Sequence, residues 1–129
     1  MNKIIVEISV GELFDKISIL ELKQEKIKDS EKLKFISNEH LSLKKQLDKN
    51  VKIDNELNIL FQSLKEINSK LWDIEDEKRK CEKNKDFGEK FIKLSRDVHF
   101  LNDDRAKIKL EINNHTGSQI KEIKEYTNY

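Results

Sequence analysis

The chain has 129 residues, of which 40% are charged and 36% apolar, with three Gly, no Pro, one Cys and a net charge of +1. This composition suits one long-helix or coiled-coil domain better than a β-sandwich or an α/β enzyme. It also excludes a bulk field for nucleic acid or anionic membranes, an internal disulfide framework or multi-Cys zinc site, and the ~18-residue apolar run of a spanning helix.

The N-terminal stretch, MNKIIVEISV, holds one Lys and an interrupted apolar run. It makes a poor secretion signal, so a cytoplasmic location is expected. Residues 3–8 are short and β-branched, which predicts a strand. Ser9 and Glu12 then stand at the spacing of a capping box, in which hydroxyl and carboxylate each take an orphan backbone N–H. A first helix over about 10–28 follows, with Val10, Leu13, Phe14, Ile17 and Leu20 on one face.

Asp29-Ser30 breaks or caps the chain before a second helix over about 31–49, carrying Leu33, Ile36, His40, Leu43 and Leu47. After a short connection, a third helix over 55–83 keeps a three-four alternation through Leu57, Leu60, Leu64, Ile67, Leu71, Ile74, Lys78 and Cys81. Asn84 to Asp86 turns the chain, and Asp86 with Glu89 offers a second capping box. The fourth helix, over 87–115, repeats the alternation through Phe87, Phe91, Leu94, Val98, Leu101, Arg105, Ile108 and Ile112. Gly117 supplies a left-handed cap.

Two helices of about four heptads joined by a short loop pack antiparallel, each roughly 40 Å long. The expected fold is therefore mainly α: a long coiled-coil-like hairpin, with Leu64 near Arg105 and Leu71 near Val98. Two shorter helices pack on it, and residues 1–129 form one domain. The strand needs a partner for its backbone groups. The tail, 118–129, or the strand of another subunit is the candidate.

Chemistry-bearing patterns are sparse. Gly11, Gly88 and Gly117 are isolated and form no phosphate loop, and the three His are scattered. Glu111 and His115 lie one turn apart, too little for a metal site. Lys78 and Arg105 interrupt the apolar seam and can run their stems along it with the charge lifted to water. Trp72, Glu75, Asp76 and Arg79 are helical neighbours away from that seam, and Trp with Arg is the pairing that dominates binding surfaces. Arg occurs only at 79, 96 and 105 among many Lys, which suggests positions where a planar fork is required.

Together, VEISVGELFDKISILELK, LWDIEDEKRKCE, FIKLSRDVHFLNDDRAKIKLEIN and GSQIKEIKEY resemble a family of short bacterial proteins of unknown function. Its members open on Ser-Pro-Gly-Glu-Leu, carry Leu-Trp and Asp-x-x-Arg midway, and end on Asn-Asp-x-Arg-Ala followed by Ile-Asn. Val10 stands where the family usually has Pro, which would only pre-set φ at the first helical position. The resemblance implies Gly11, Glu12, Asp15 and Lys16, Trp72, Asp76 and Arg79, and Asn102, Asp103, Arg105 and Lys109 as the positions of interest. It also implies a setting, since such genes are often found near glycosyltransferase and surface-polysaccharide genes.

The leading expectation is a non-enzymatic accessory protein with a protein partner or a second copy, no catalytic residues and no cofactor. The alternatives are an anion- or sugar-nucleotide-binding module, and a small helical enzyme of chorismate-mutase type, which LNDDRAKIKLEI faintly resembles. Several of Lys16, Arg79, Arg105 and Lys109 converging in a concave pocket would favour a ligand. A flat exposed patch around Trp72 would favour a partner. Asp15, off the apolar stripe and unneeded for capping, is expected to bond Arg79 or Arg105.

Overall fold

The computed structural model describes residues 2–129, with four helices: α1 (Val10–Lys26), α2 (Ser30–Asn50), α3 (Asn55–Lys83) and α4 (Glu89–Thr116). Their starts follow from local chemistry. Ser9 Oγ accepts from the Glu12 backbone N–H at 3.0 Å. Asp29 Oδ1 accepts from the N–H groups of Glu31 and Lys32, both at 3.0 Å. Asp54 Oδ1 accepts from Leu57 at 2.9 Å. Each satisfies donors that the first helical turn leaves open.

The expected second capping box does not form. The N-cap of α4 is Gly88, which has no side chain to accept a bond. Asp86 instead accepts from the Gly88 backbone N–H at 3.2 Å, so it shapes the turn. At the other end Gly117 takes φ 68°, and Ser118 N–H returns to the Asn113 carbonyl at 2.9 Å. This is the glycine-terminated geometry expected there.

α1 is the hub and packs on each of the other three helices. α2 folds back along it, with His40 Nε2 3.3 Å from Glu21 Oε2. α1 runs in the same sense as α3: Phe14 meets Phe61 edge-on at 5.9 Å, and Ser18 meets Asn68. α3 and α4 run in opposite senses. Asp54 meets His115 at their near ends, and Glu77 meets Lys90 at 3.0 Å beyond their middle. The core lies where the helices converge, in Leu13, Phe14, Ile17, Leu47, Leu57, Leu60, Leu64 and Ile112. α1 is 17 residues long and α3 is 29, so the distal part of α3 and α4 extends past α1. Phe87 and Ile92 are exposed there. Among the described residues no helix is long and apolar enough to cross a membrane.

The predicted strand is absent: no described residue is in a strand, and Ile4 and Ile5 are each 90% exposed. A strand persists only with a hydrogen-bonded neighbour. The tail, which was to supply one, lies along α4 instead. Lys121 bonds Asn114 at 2.8 Å, Glu122 pairs with Lys109 at 3.3 Å, and the Tyr129 hydroxyl donates to Asp103.

Candidate functional site

The start of α1 sits directly on the end of α4. Gly11 N–H donates to Asn113 Oδ1 at 2.7 Å, and Val10 N–H donates to Ser118 Oγ at 3.2 Å. A Cβ at Gly11 would lie 2.5 Å from the Lys109 carbonyl oxygen. Only glycine permits this approach.

The capping-box half assigned to Glu12 is therefore not made. Its carboxylate turns to Lys109, whose Nζ donates to Oε2 at 2.7 Å. Lys109 is only 8% exposed and also meets Asp15 at 3.5 Å and Glu122 at 3.3 Å. Burial opposes the charge on Lys109, but the Glu12 hydrogen bond and the charges of Asp15, Glu12 and Glu122 prevail, and its pKa is raised. Burial likewise opposes ionisation of Glu12, yet the Lys109 hydrogen bond with the charges of Lys109, Lys16 and Arg105 holds its pKa below the ordinary value.

Asp15 does not bond an arginine directly. Its Oδ1 accepts from Asn68 Nδ2 at 2.8 Å, and the same amide donates to Ser18 Oγ at 2.8 Å. Asn68 Oδ1 then accepts from Arg105 Nη1 at 3.2 Å. The amide thus stands between the carboxylate and the guanidinium. This relay satisfies a 5%-exposed Asp15 with short, well-placed donors. No buried side-chain N or O among the described residues lacks a partner.

Past Asn68 the relay opens into a cleft of about 370 Å³ between α1, α3 and α4, lined by Ile19, Leu22, Trp72, Asp76, Arg79 and Arg105 among others. Neither Arg79 nor Arg105 forms an ion pair among the described residues; the Asn68 bond is the hydrogen bond Arg105 makes there. Asp76 is engaged by Lys80 at 3.4 Å.

The residues singled out in the sequence therefore divide into three groups. Gly11, Glu12, Asp15 and Lys109 form the buried junction. Trp72, Asp76, Arg79 and Arg105 line the cleft. Lys16 is exposed, Asn102 is half-buried, and Asp103 holds the tail through Tyr129. Glu111 is not a partner of His115, which meets Asp54 and Glu56. Among the described residues no cluster of His, Cys, Asp and Glu is arranged to hold a metal ion.

Sequence reasoning missed Asn68, Ser18, Asn113, Ser118 and Glu122. Asn68 carried a signal. It continues the spacing of Leu57, Leu60 and Leu64 and precedes Leu71 by three, but Ile67 beside it drew the apolar stripe off by one position. Asn113 and Ser118 carried none, because their partners lie about a hundred residues away, and Glu122 meets Lys109, 13 residues back, only because the tail turns onto α4.

No curated protein and no solved structure matches the chain. Residues 4–129, spanning both the junction and the cleft, match a family of unknown function, DUF6165, and the chain belongs to that family.

Proposed function

We propose that the chain is a non-catalytic helical accessory protein, which acts in the cytoplasm on a protein partner in cell-surface polysaccharide assembly and uses the Trp72 cleft as its contact. The observation that carries this reading is the convergence of one indole and two guanidiniums without carboxylate partners in a single cleft. Trp and Arg supply most hot spots at protein interfaces. The glycosyltransferase setting comes from the gene neighbourhoods implied by the family resemblance. A coiled-coil interdigitation of α3 with α4 would give the cleft a stiff wall.

The concavity of the site supports a second reading, an anion or sugar-nucleotide module. Against it, only Arg79 and Arg105 of the four basic candidates reach the cleft. Lys109 is matched by three carboxylates, which also argues against a chorismate-mutase-type pocket. Affinity capture from the source organism tests the first reading. Proteins of polysaccharide assembly should be recovered with the wild-type chain and lost with Trp72→Ala. Recovery unaffected by that substitution would overturn it.

A further inference from the structure

We infer that a second copy of this chain closes the cleft until the partner engages it. The two hairpins lie antiparallel, each with its α3 stripe Trp72, Asp76, Arg79 and Lys83 on the same stripe of the other. The self-association stands on the geometry of the hairpin. Its meaning as a cover that the partner displaces rests on the cleft being the partner contact.

The far half of the hairpin is bare. α1 reaches only to Asp73, where Lys26 meets it at 3.7 Å. α2 packs on α1 alone and runs back from its end. The tail stops at His99 and Phe100, against which Tyr129 rests. Among the described residues α3 buries only Cys81 beyond Leu71, and Phe91, Leu94, Val98 and Leu101 of α4 are only half-buried. Two helices by themselves leave their seam open to water, and a further layer is what closes it.

α1 limits what that layer can be. On each copy it fills the near half of this face. A second hairpin therefore fits only in the opposite sense, with its own α1 beyond the first copy's turn at 84–88. Trp72, Asp76, Arg79 and Lys83 follow one another at four, three and four positions, the spacing of a coiled-coil stripe, about 16 Å long. A two-fold axis midway between Glu77 and Lys78 sets Asp76 opposite Arg79 and Trp72 opposite Lys83, each pair occurring twice.

The charges suit a self-complementary contact and not an occupant of one sign. Glu75 and Asp76 line the cleft beside Arg79 and Arg105. Glu75 and Arg79 are exposed and form no ion pair among the described residues. Asp76 holds Lys80, which keeps Glu77 at 3.1 Å when Asp76 turns away. Across the axis each Arg79 fork meets Asp76 of the other copy, with Glu75 beside it. Each Lys83 ammonium lies against the other copy's Trp72 ring.

Sedimentation of the full chain across a dilution series tests this. Wild type should run as a dimer that dissociates on dilution. Trp72 is the only Trp in the chain, so its emission should shift to the red as the cover is lost. Asp76 and Arg79 are exposed, and circular dichroism checks that their variants keep the helices. Asp76→Arg leaves only cations at the two facing positions, and Arg79→Asp leaves only anions. Each variant alone should dimerise about tenfold more weakly, because symmetry removes two pairs at once. An equimolar mixture should regain wild-type affinity as a one-to-one heterodimer, since the cations of one variant face the anions of the other. A wild-type chain that stays monomeric would overturn the self-pairing. So would variants that dimerise as wild type does, or a mixture no tighter than its components. In any of these cases, loss of capture with Trp72→Ala would leave the cleft as the partner contact. A dimer that behaves as expected, with capture unaffected by Trp72→Ala, would keep the self-pairing and remove the partner contact.

Discussion

Gly11 shows how much one residue can settle. Its Cα replaces any side chain at the point where α1 crosses the backbone of α4, and a methyl there would sit 2.5 Å from a carbonyl oxygen that cannot rotate away. Gly11→Ala should destabilise the fold by about 1–3 kcal/mol, the usual cost of overpacking, although alanine favours helix. Urea titration checks this, and a stabilised variant would contradict the crossing. Lys109 faces Glu12, Asp15 and Glu122 at once. Lys109→Met would leave three carboxylates around a lost cation. The expected cost is about 3–5 kcal/mol at neutral pH. Against desolvation, Lys109 holds the Glu12 pKa below the ordinary 4.5, and that contribution is lost as pH falls through the folded pKa, so the gap from wild type should narrow below pH 4.5. A gap that stays constant throughout that acid range would contradict the ion cluster. The need for Gly11 was legible in the sequence only as an isolated glycine in a family motif. What it touches was not, because a backbone crossing leaves no mark in local spacing.

At the scale of elements, the two helix ends beside α4 make separate predictions. After α3 the chain closes with Asp86 N–H on the Cys81 carbonyl at 2.8 Å, and Lys85 takes φ 55°. That left-handed position ordinarily holds glycine. Lys85→Gly should therefore stabilise by about 1 kcal/mol, the strain of a side chain there, read as a higher Tm. At the opposite end His115 Nε2 meets Asp54 Oδ2 at 2.7 Å and Nδ1 meets Glu56 at 3.1 Å. The Asp54 hydrogen bond first, and the charges of Asp54 and Glu56, raise the imidazole pKa above 6.5 against the pull of desolvation. The folded state thus binds the proton more tightly than the unfolded chain. This contribution is fully present below pH 6.5 and is lost as pH rises through the folded pKa. A scan of Tm against pH should show that decline in wild type and not in His115→Gln. The helices themselves were legible, since three-four spacing and Ser, Asp and Gly punctuation are local signals. The strand at residues 3–8 was misread because β-branching records a preference, while a strand requires a neighbour that the tail does not provide.

For the whole molecule, stability rests on α1 held between the hairpin and the tail. Removing residues 118–129 would delete the Ser118 bond to Val10 and the Glu122 bond to Lys109. The Tm should fall. Removing residues 2–8, of which Ile4, Ile5 and Val6 are largely exposed, should leave it nearly unchanged. The reverse outcome would mean that the N-terminal segment is structural. The polar bonds that seat Val10 and Gly11 span 108 and 102 residues. During synthesis the first helix therefore leaves the ribosome long before Asn113 and Ser118 exist. Its apolar face can meet α2 early, but its amino end has no final acceptor until α4 has emerged. Domains generally fold as units during translation, and contacts of this separation carry the loop-closure cost that slows folding. The nascent chain should acquire protease resistance in one late step, after residue 118 has cleared the exit tunnel, with α1 waiting on the last helix for most of its synthesis.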